Sequence, residues 1–221
     1  MNAGTGTRLG DWLVRAGEER RSRFHGYQGR PVPLPCLADF PKVLWQAAWR
    51  RFNRRPVLPW IPYPVIRRLS RLIEADWRVL EWGSGMSTLW FAPKVQEICG
   101  VESDLGWYRR VGRQLDTGRH RYRFVDVMVH AEGYWQIDTR DEAAFDLAVI
   151  DGLFRKECME SAVRAVRRGG LVYVDNIDTE GSRAFSLLQA SVAKRGGSIE
   201  LFTGFPPAQP TVTTGALATL L

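Results

Sequence analysis

The stretch from Arg78 to Val101 constrains the fold more than any other part of the chain. An apolar run ends at Leu80, glycines follow at Gly83 and Gly85, and the next apolar residues recur at helical spacing. Glycine lets the chain reverse sharply and lets a ligand approach the backbone without meeting a Cβ atom. The stretch therefore predicts a strand, a tight glycine turn and a helix.

Polar residues after the turn extend this pattern. Ser87 and Thr88 stand where their hydroxyls can cap the free N–H groups of the new helix. A second strand, Glu97 to Val101, leads into Glu102, about 20 residues after the glycines, where nucleotide-binding folds place an acid on the ribose hydroxyls. The third glycine of a dinucleotide fingerprint is replaced by Thr88, which disfavours an NAD-type oxidoreductase.

Strands and helices alternate in the rest of the chain. Asp104 to Leu115, Glu157 to Arg168 and Arg183 to Arg195 are predicted helices, with Gly169-Gly170 as a stop. The predicted strands are Tyr122 to Val129, Phe145 to Asp151, Leu171 to Asp175, Glu200 to Phe202 and Val212 to Leu220. This order predicts an α/β fold with a Rossmann-like, doubly wound, mostly parallel sheet over residues 75–221.

Acidic residues stand at the ends of the predicted strands. They are Glu81, Glu102, Asp126, Asp151 and Asp175, the last followed by Asn176. Any one of them is readily explained as a turn or capping residue. Five acids at five strand ends indicate a crevice lined by carboxylates, because ligands of open α/β sheets bind beyond the carboxyl ends of the strands.

Residues 1–74 form a basic extension rich in tryptophan and proline. They hold 14 Lys and Arg against 5 Asp and Glu, whereas residues 75–221 hold 17 against 19. We expect a loosely packed arm over residues 1–38, a helix over Phe40 to Arg55, a stiff Pro56 to Pro64 link and helical periodicity from Val65 to Ile73. Together these segments are expected to form an arm, helices and a lid.

The helix from Phe40 to Arg55 has two interpretations. Its apolar face docks on the main domain, or it lies on an anionic membrane and makes a peripheral contact. The apolar residues predicted to share one face are Val43, Leu44, Ala47, Ala48 and Phe52. Aromatic residues of the extension are expected to wall the acceptor pocket, namely Trp45, Trp49, Trp60 and Tyr63.

Cysteine content and hydropathy suggest a compartment. Cys36, Cys99 and Cys158 are scattered and odd in number, which fits a reducing environment better than a disulfide framework. The first residues contain no apolar core of a signal peptide, and no later run approaches about 18 uncharged apolar residues. We therefore expect a cytoplasmic protein.

The motifs resemble those of the class I S-adenosylmethionine (SAM)-dependent methyltransferases. EWGSGMST is similar to that family's first motif, VESD to the end of its second strand, and FDLAVIDG and RRGGLVYVDN to its fourth and fifth strands. TVTTGALATLL is similar to its reversed last strand. The resemblance implies a SAM-binding domain over residues 75–221.

The resemblance also implies positions for the cofactor. Gly83 and Gly85 would pass against the methionine portion, Glu102 would hold the ribose, and Asp126 or its neighbours would meet the adenine. The remaining residues expected to bind SAM are Glu81, Ser84, Ser87, Thr88, Ser103 and Asp151.

Asp151, Asp175 and Asn176 are similar to the metal triad of the catechol-type O-methyltransferases. Two carboxylates and an amide oxygen are hard ligands suited to Mg²⁺, which would lower the pKa of a substrate hydroxyl. That subfamily carries a lysine base three residues after the first aspartate, and this chain has Phe154 there, followed by Arg155. Without metal, the candidate general bases are Asp151, Asp175 and His130.

These features predict a SAM-dependent O-methyltransferase acting on a small-molecule or sugar-like acceptor. The basic extension leaves an RNA ribose methyltransferase as an alternative. Enzymes that methylate base amino groups resemble one another in an Asn/Asp-Pro-Pro-aromatic run, and here the residues from Asp151 to Phe154 contain no proline. This disfavours methylation of base amino groups, so we expect a small-molecule acceptor rather than a nucleic acid, with a ribose hydroxyl as the alternative. A non-catalytic nucleotide-binding protein of the same fold is the other alternative.

Overall fold

A computed structural model describes residues 22–52 and 54–221 of the chain. Expectations for residues 1–21, the first part of the predicted arm, lie outside the described residues. Nine α-helices are described: α1 Leu34–Leu37, α2 Phe40–Arg50, α3 Tyr63–Leu72, α4 Met86–Phe91, α5 Leu105–Gly112, α6 Val127–His130, α7 Glu132–Trp135, α8 Arg155–Ala165 and α9 Ser182–Arg195. Short 3₁₀ turns span Tyr27–Gly29, Ala92–Lys94 and Thr139–Asp141.

Within the described residues, seven strands form one sheet in the order β3-β2-β1-β4-β5-β7-β6. They are β1 Arg78–Trp82, β2 Glu97–Glu102, β3 Arg121–Phe124, β4 Phe145–Ile150, β5 Val166–Val174, β6 Gly197–Gly204 and β7 Thr213–Leu220. Strands β1 to β5 pair in parallel, whereas β7 runs antiparallel to both β5 and β6. The predicted mostly parallel sheet with a reversed last strand is confirmed.

Both faces of the sheet are covered, as its continuous apolar strands predict. Along β1, Val79 points into one core cluster and the next residue, Leu80, into the other, because side chains alternate across a strand. The first cluster lies under α3 and α4 and the second under α8 and α9. A helix pair on each face leaves only the strand ends free to build a site.

The predicted bounds of three strands are wrong, the simplest case being β6, which spans Gly197–Gly204 rather than Glu200 to Phe202. The third strand ends at Phe124, and Asp126 instead caps α6 by accepting the N–H of Met128 at 3.0 Å. The fifth strand begins at Val166, so Gly169 lies within it as part of an irregular pairing with β4 rather than ending the preceding helix. A positive φ of 79° at Gly169 accommodates this irregularity.

The described part of the extension packs onto the sheet. Val32 and Cys36 of the predicted loose arm are buried, and Phe24 makes ring contacts with Phe40 and Phe205. Helix α3 buries its apolar stripe, including Val65 and Leu69. This part of the chain and the sheet therefore share one core cluster.

Helix α2 does not dock by the face that the sequence predicts. Only Val43 of its apolar residues is buried, while Leu44 and Phe52 are exposed. The inward position beside Val43 is taken by Gln46, whose Oε1 accepts the hydroxyl of Tyr63 at 2.8 Å. The helix also ends at Arg50, short of the predicted Arg55.

No helix among the described residues is long and apolar enough to span a bilayer. Cys36, Cys99 and Cys158 are free thiols. The cytoplasmic location expected from the cysteines stays a prediction.

Candidate active site

A cleft of about 610 Å³ opens at the carboxyl ends of β1, β2, β4 and β5. This volume lies within the range of about 300–1,000 Å³ that is typical of small-ligand sites. The predicted residues that line it are Gly83, Ser84, Gly85, Ser87, Glu102, Ser103, Asp151, Asp175 and Asn176. The parallel strands bring together residues that are far apart in the sequence, as expected for this edge of an α/β sheet.

The two glycines of the turn have different roles. Gly83 has a φ of 88°, and a Cβ atom there would lie 2.6 Å from the backbone of Gly152. This close approach joins the turn after β1 to the turn after β4. Gly85 has an extended φ of −171°, and a Cβ atom there would meet no atom within 4 Å. Gly83 therefore serves the fold, whereas Gly85 leaves open space on the cleft side.

Glu81 supports the turn from below. Its side chain is fully buried and is not among the described residues that line the cleft. The hydroxyl of Thr88 accepts the N–H of Gly85 at 2.9 Å and donates to Glu81 Oε2 at 2.5 Å. Burial raises the pKa of Glu81 to about 7, although hydrogen bonds from Ser87 and Thr88 oppose the rise. Glu81 and Thr88, both expected to bind the cofactor directly, instead support the backbone of the turn that lines the cleft.

Glu102 ends β2 at the wall of the cleft. Its Oε1 accepts the backbone N–H groups of Ser103 and Asp104, each at 2.7 Å. These bonds fix the carboxylate and leave Oε2 for a ligand. Burial raises the pKa of Glu102, and the two backbone hydrogen bonds lower it.

Two predicted residues lie apart from this group. Asp126 is exposed and caps α6, and His130 is exposed at the end of the same helix. Neither is among the described residues that line the cleft, whereas Val127 between them is. The short helix α6, which replaces the predicted strand, turns both side chains away.

The guanidinium of Arg155 lies among the acidic and amide side chains at the ends of β4 and β5. Its Nη2 lies 3.3 Å from Asp151 Oδ1, and its Nη1 lies 3.3 Å from Asn176 Oδ1 and 2.6 Å from the carbonyl oxygen of Asp175. Its Nε donates to the carbonyl oxygen of Gly152 at 3.0 Å. Arg155 is 9% exposed, so this buried cation ties the end of β4 to the end of β5.

The pKa values of the two carboxyl groups near Arg155 are shifted in the same direction. Burial and the neighbouring Asp175 raise the pKa of Asp151 well above its usual value, and Arg155 opposes the rise. Burial raises the pKa of Asp175 to about 6. The hydroxyl of Tyr173 donates to Asp175 Oδ1 at 2.5 Å, so this carboxylate is partly held inside the sheet.

The donor set does not fit the predicted Mg²⁺ site. Asp151, Asp175 and Asn176 do lie together, but the guanidinium fills the space between Asp151 Oδ1 and Asn176 Oδ1 that an ion would need. Within residues 22–52 and 54–221, no group of three or more His, Cys, Asp or Glu side chains is placed to hold a metal ion. A fixed cation of the chain itself stands where the resemblance implies a metal.

Acidic residues outnumber basic residues in the lining of the cleft. Among the described residues that line it, five are acidic and one, Arg155, is basic. The acidic ones are Glu102, Asp104, Asp151, Asp175 and Glu180. Such a surface attracts a cationic ligand and repels phosphate groups.

One wall of the cleft comes from the extension. Trp60 packs edge-to-face on Trp107 of α5, with ring centroids 5.9 Å apart, and both rings line the cleft. The guanidinium of Arg55 lies over both rings, 5.1 Å and 4.9 Å from their centroids. Of the aromatic residues expected in this wall, Trp45, Trp49 and Tyr63 are not among the described lining residues.

Several lining residues carry no motif in the sequence. Tyr134 accepts the N–H of Leu153 through its hydroxyl at 3.3 Å and accepts the indole N–H of Trp82 through its carbonyl at 2.9 Å. Gln209 and Thr213 reach the cleft from the β6–β7 loop and the start of β7. Among the lining residues missed by the sequence analysis, only Arg155 has a sequence signal, since it stands one residue after the position where the catechol-type enzymes carry a lysine.

The sequence matches no protein-family model and no curated protein. The structure is similar to the O-methyltransferase of Bacillus cereus solved with S-adenosylhomocysteine (SAH), with 16% identity, a TM-score of 0.57, and 83% of this chain and 91% of that chain covered. It is also similar to the O-methyltransferase TomG of Streptomyces achromogenes, of tomaymycin synthesis, solved with SAM, with 18% identity, a TM-score of 0.55, and 81% and 89% covered.

An rRNA methylase of Streptococcus thermophilus is similar as well, with 13% identity, a TM-score of 0.50, and 72% of this chain and 96% of that chain covered. These likenesses agree with the motifs at Gly83 and Glu102 and with the reversed strand β7. The chain has the fold of the class I SAM-dependent methyltransferases.

Proposed function

We propose that the protein is a SAM-dependent methyltransferase that methylates an oxygen atom of a small-molecule acceptor. The observation that carries this proposal is the charge of the cleft, with five acidic lining residues against one basic residue, beside the open face of Gly85. SAM carries a positive sulfonium, whereas NAD and nucleic acids carry negative phosphates. An acidic cleft therefore favours SAM over NAD and over an RNA acceptor.

The residues at the glycine end of the cleft would bind the cofactor. Glu102 Oε2 is free to accept the ribose hydroxyls, because Oε1 is already held by two N–H groups. The backbone of Ser84 and Gly85 would lie against the methionine portion, and Val127 would contact the adenine in place of Asp126. When bound, SAM supplies an electrophilic methyl group that an acceptor oxygen can attack.

Asp151 is the general base that the geometry favours. It lines the cleft, and Arg155 holds its carboxylate through Oδ1, within reach of an acceptor in the cleft. Asp175 is fully buried and holds Tyr173, and His130 lies outside the cleft wall. Asp151 would take the proton of the acceptor hydroxyl while the hydroxyl oxygen bonds to the methyl carbon of SAM and the bond between that carbon and the sulfur breaks.

Ligand-dependent thermal unfolding tests the cofactor assignment. We expect SAM and SAH each to raise Tm by about 5–10 °C at about 100 times Kd, because a ligand of the folded state shifts unfolding by mass action. NAD should not change Tm, and added Mg²⁺ should not change the effect of SAM. A protein stabilised by NAD but not by SAM would overturn the proposal.

The acceptor can be sought by the release of SAH from SAM in the presence of hydroxyl compounds. Asp151→Asn is the matched control, since it keeps the shape and a hydrogen-bond acceptor for Arg155 but not the base. We expect SAH release to fall about 10²–10⁴-fold in this variant, far more than SAM affinity falls. Equal rates in the two proteins would remove Asp151 from the mechanism.

A further inference from the structure

The segment from Phe40 to Ile73 is basic without interruption. It holds eight cationic residues and no acidic residue. Arg67 pairs with Asp39 and Arg68 with Glu200, at 2.9 Å and 3.0 Å. The four arginines that follow α2 or end it, Arg50, Arg51, Arg54 and Arg55, make no ion pair with a described carboxylate. This end of the segment therefore carries positive charge that no carboxylate within residues 22–52 and 54–221 pairs with.

The outward face of α2 is apolar beside these arginines. Trp45 is 65% exposed and Phe52 is 74% exposed, and Trp49 lies between them with ring centroids 5.5 Å and 6.2 Å away. We call these three residues the aromatic strip. Leu44, 41% exposed, lies beside it. The inward face holds Val43 and Gln46, so the strip points away from the core.

We propose that α2 docks on the surface of an anionic lipid bilayer. The aromatic strip would enter the boundary between headgroups and acyl chains, and the neighbouring arginines would contact the lipid phosphates, as in interfacial amphipathic helices. Tryptophan suits this boundary because its ring is apolar and its N–H can stay hydrated. The proposal does not depend on the reaction in the cleft.

Two other occupants fit the strip less well. A second copy of the chain would bring the arginines around one strip against the same arginines of the other, which repels the two surfaces. A nucleic acid could pair its phosphates with the arginines and stack its bases on the rings. It would leave the exposed Leu34 and Leu44 without apolar partners, since nucleic-acid interfaces are polar. A bilayer complements both the charge and the aliphatic side chains.

Docking would place the bilayer next to the cleft. Arg50 at the end of α2 lies over the ring of Trp60, 5.1 Å from its centroid, and Arg55 lies over the same ring. Trp60 is part of the cleft wall. The segment that would meet the lipid and the wall of the cleft are thus in direct contact.

Vesicle flotation of the full chain tests this inference. We expect recovery with vesicles of equal parts phosphatidylglycerol and phosphatidylcholine and none with phosphatidylcholine alone, because the arginines require an anionic surface. Binding should weaken with added salt, as charges at a surface are screened. Trp45→Ser/Phe52→Ser and Arg51→Gln/Arg54→Gln should each bind at least about tenfold more weakly.

Matched controls separate docking from general stickiness. Leu201→Ser/Leu221→Ser removes two other exposed apolar residues, and Arg113→Gln/Arg168→Gln removes two other exposed arginines. Both should float like the wild type, and all variants should keep the wild-type Tm.

Three results would overturn the proposal. The proposal fails if the wild type does not float with anionic vesicles, or if the strip and arginine variants float as well as the wild type does. Binding of a short single-stranded RNA that depends on the strip, without vesicle binding, assigns the surface to nucleic acid. A dimer in light scattering that Trp45→Ser/Phe52→Ser dissociates assigns it to a second copy of the chain.

Discussion

The buried carboxyl group of Glu81 makes the folded protein take up a proton near neutral pH. Its pKa is raised from 4.5 to about 7, with burial as the main cause. Between these two values the folded state binds more protons than the unfolded state, so this group lowers stability as pH rises through that window. The loss amounts to about 3 kcal/mol above pH 7.

Glu81→Gln should remove this loss, because a neutral amide can still accept the hydroxyl of Thr88. Urea unfolding at about pH 5 and about pH 8 measures it, and the variant should lose less stability than the wild type between these conditions. Glu74→Gln, at an exposed position, is the control and should behave like the wild type. A variant with the same pH dependence as the wild type would contradict the role given to Glu81.

The two glycines of the turn give a second prediction at this scale. Gly83→Ala should cost about 2 kcal/mol or more, since Gly83 has a positive φ and its Cβ atom would collide with the backbone of Gly152. Gly85→Ala should cost less than about 1 kcal/mol, because its Cβ atom meets open space. Denaturant unfolding compares the two variants, and equal losses would contradict the assignment of separate roles.

These residues show the limit of sequence reasoning. The sequence predicts that a strand carrying Glu81 leads into a turn at Gly83 and Gly85, and the structure places Glu81 in β1 and the two glycines in the turn after it. It does not separate a glycine that meets another backbone from one that faces a cleft, because that difference depends on Gly152, 69 positions later than Gly83 in the chain. Contacts between distant turns are invisible to spacing.

At the scale of the elements, the start of α8 is the joint between β4 and β5. Phe154 precedes it with a φ of 48°, an uncommon left-handed conformation for a bulky residue, and directs Arg155 into the group of acceptors. Arg155→Ala should lower the free energy of unfolding by about 3 kcal/mol, because it leaves the carboxylate of Asp151 without its ion pair and the carbonyl oxygen of Asp175 without its donor.

The same variant tests how the guanidinium relates to a metal. Removal of the side chain opens the space between Asp151 Oδ1 and Asn176 Oδ1, which are hard oxygen donors. Mg²⁺ should then raise the Tm of Arg155→Ala but not that of the wild type. Stabilisation of the wild type by Mg²⁺ would contradict the interpretation that the guanidinium fills the site.

Elements with continuous apolar runs were predictable and those with mixed patterns were not. β4 and β5 are buried on both faces, and their apolar runs predict them almost to the residue at their carboxyl ends. The valines after β3 predict that the strand continues, yet a helix begins at Asp126, because its side chain accepts the N–H of Met128 and caps that helix. Helix α2 has the expected period but the unexpected orientation, since Gln46 finds partners inward in Tyr63 and Ala208.

At the scale of the whole molecule, opposite charges are separated. The cleft is lined by five acidic residues and one basic residue, and the segment from Phe40 to Ile73 is purely basic in its charged residues. The basic segment is visible in the sequence as a run of like charges. The acidic cleft is visible only through the acids at strand ends. Asp104 and Glu180 also line it, because loops bring them to the same edge of the sheet.

This charge predicts how cofactor binding depends on pH. Asp175, with a pKa of about 6, ionises as pH rises through that value, so the cleft becomes more negative. SAM differs from SAH by the positive charge of its sulfonium. The affinity for SAM relative to that for SAH should therefore rise about tenfold between about pH 5.5 and about pH 7.5. Competition binding measures the ratio of the two Kd values, and a constant ratio would contradict the electrostatic account.

Calorimetric titration with SAM of the wild type and of Gly85→Arg tests the cofactor site most directly. The arginine side chain would extend into the cleft from a position with open space, without disturbing the backbone contact of Gly83 with Gly152. We predict saturable binding at one site in the wild type and none in the variant, with equal Tm for the two unliganded proteins. Equal SAM affinity in both proteins, or no binding to the wild type, would contradict the proposed site.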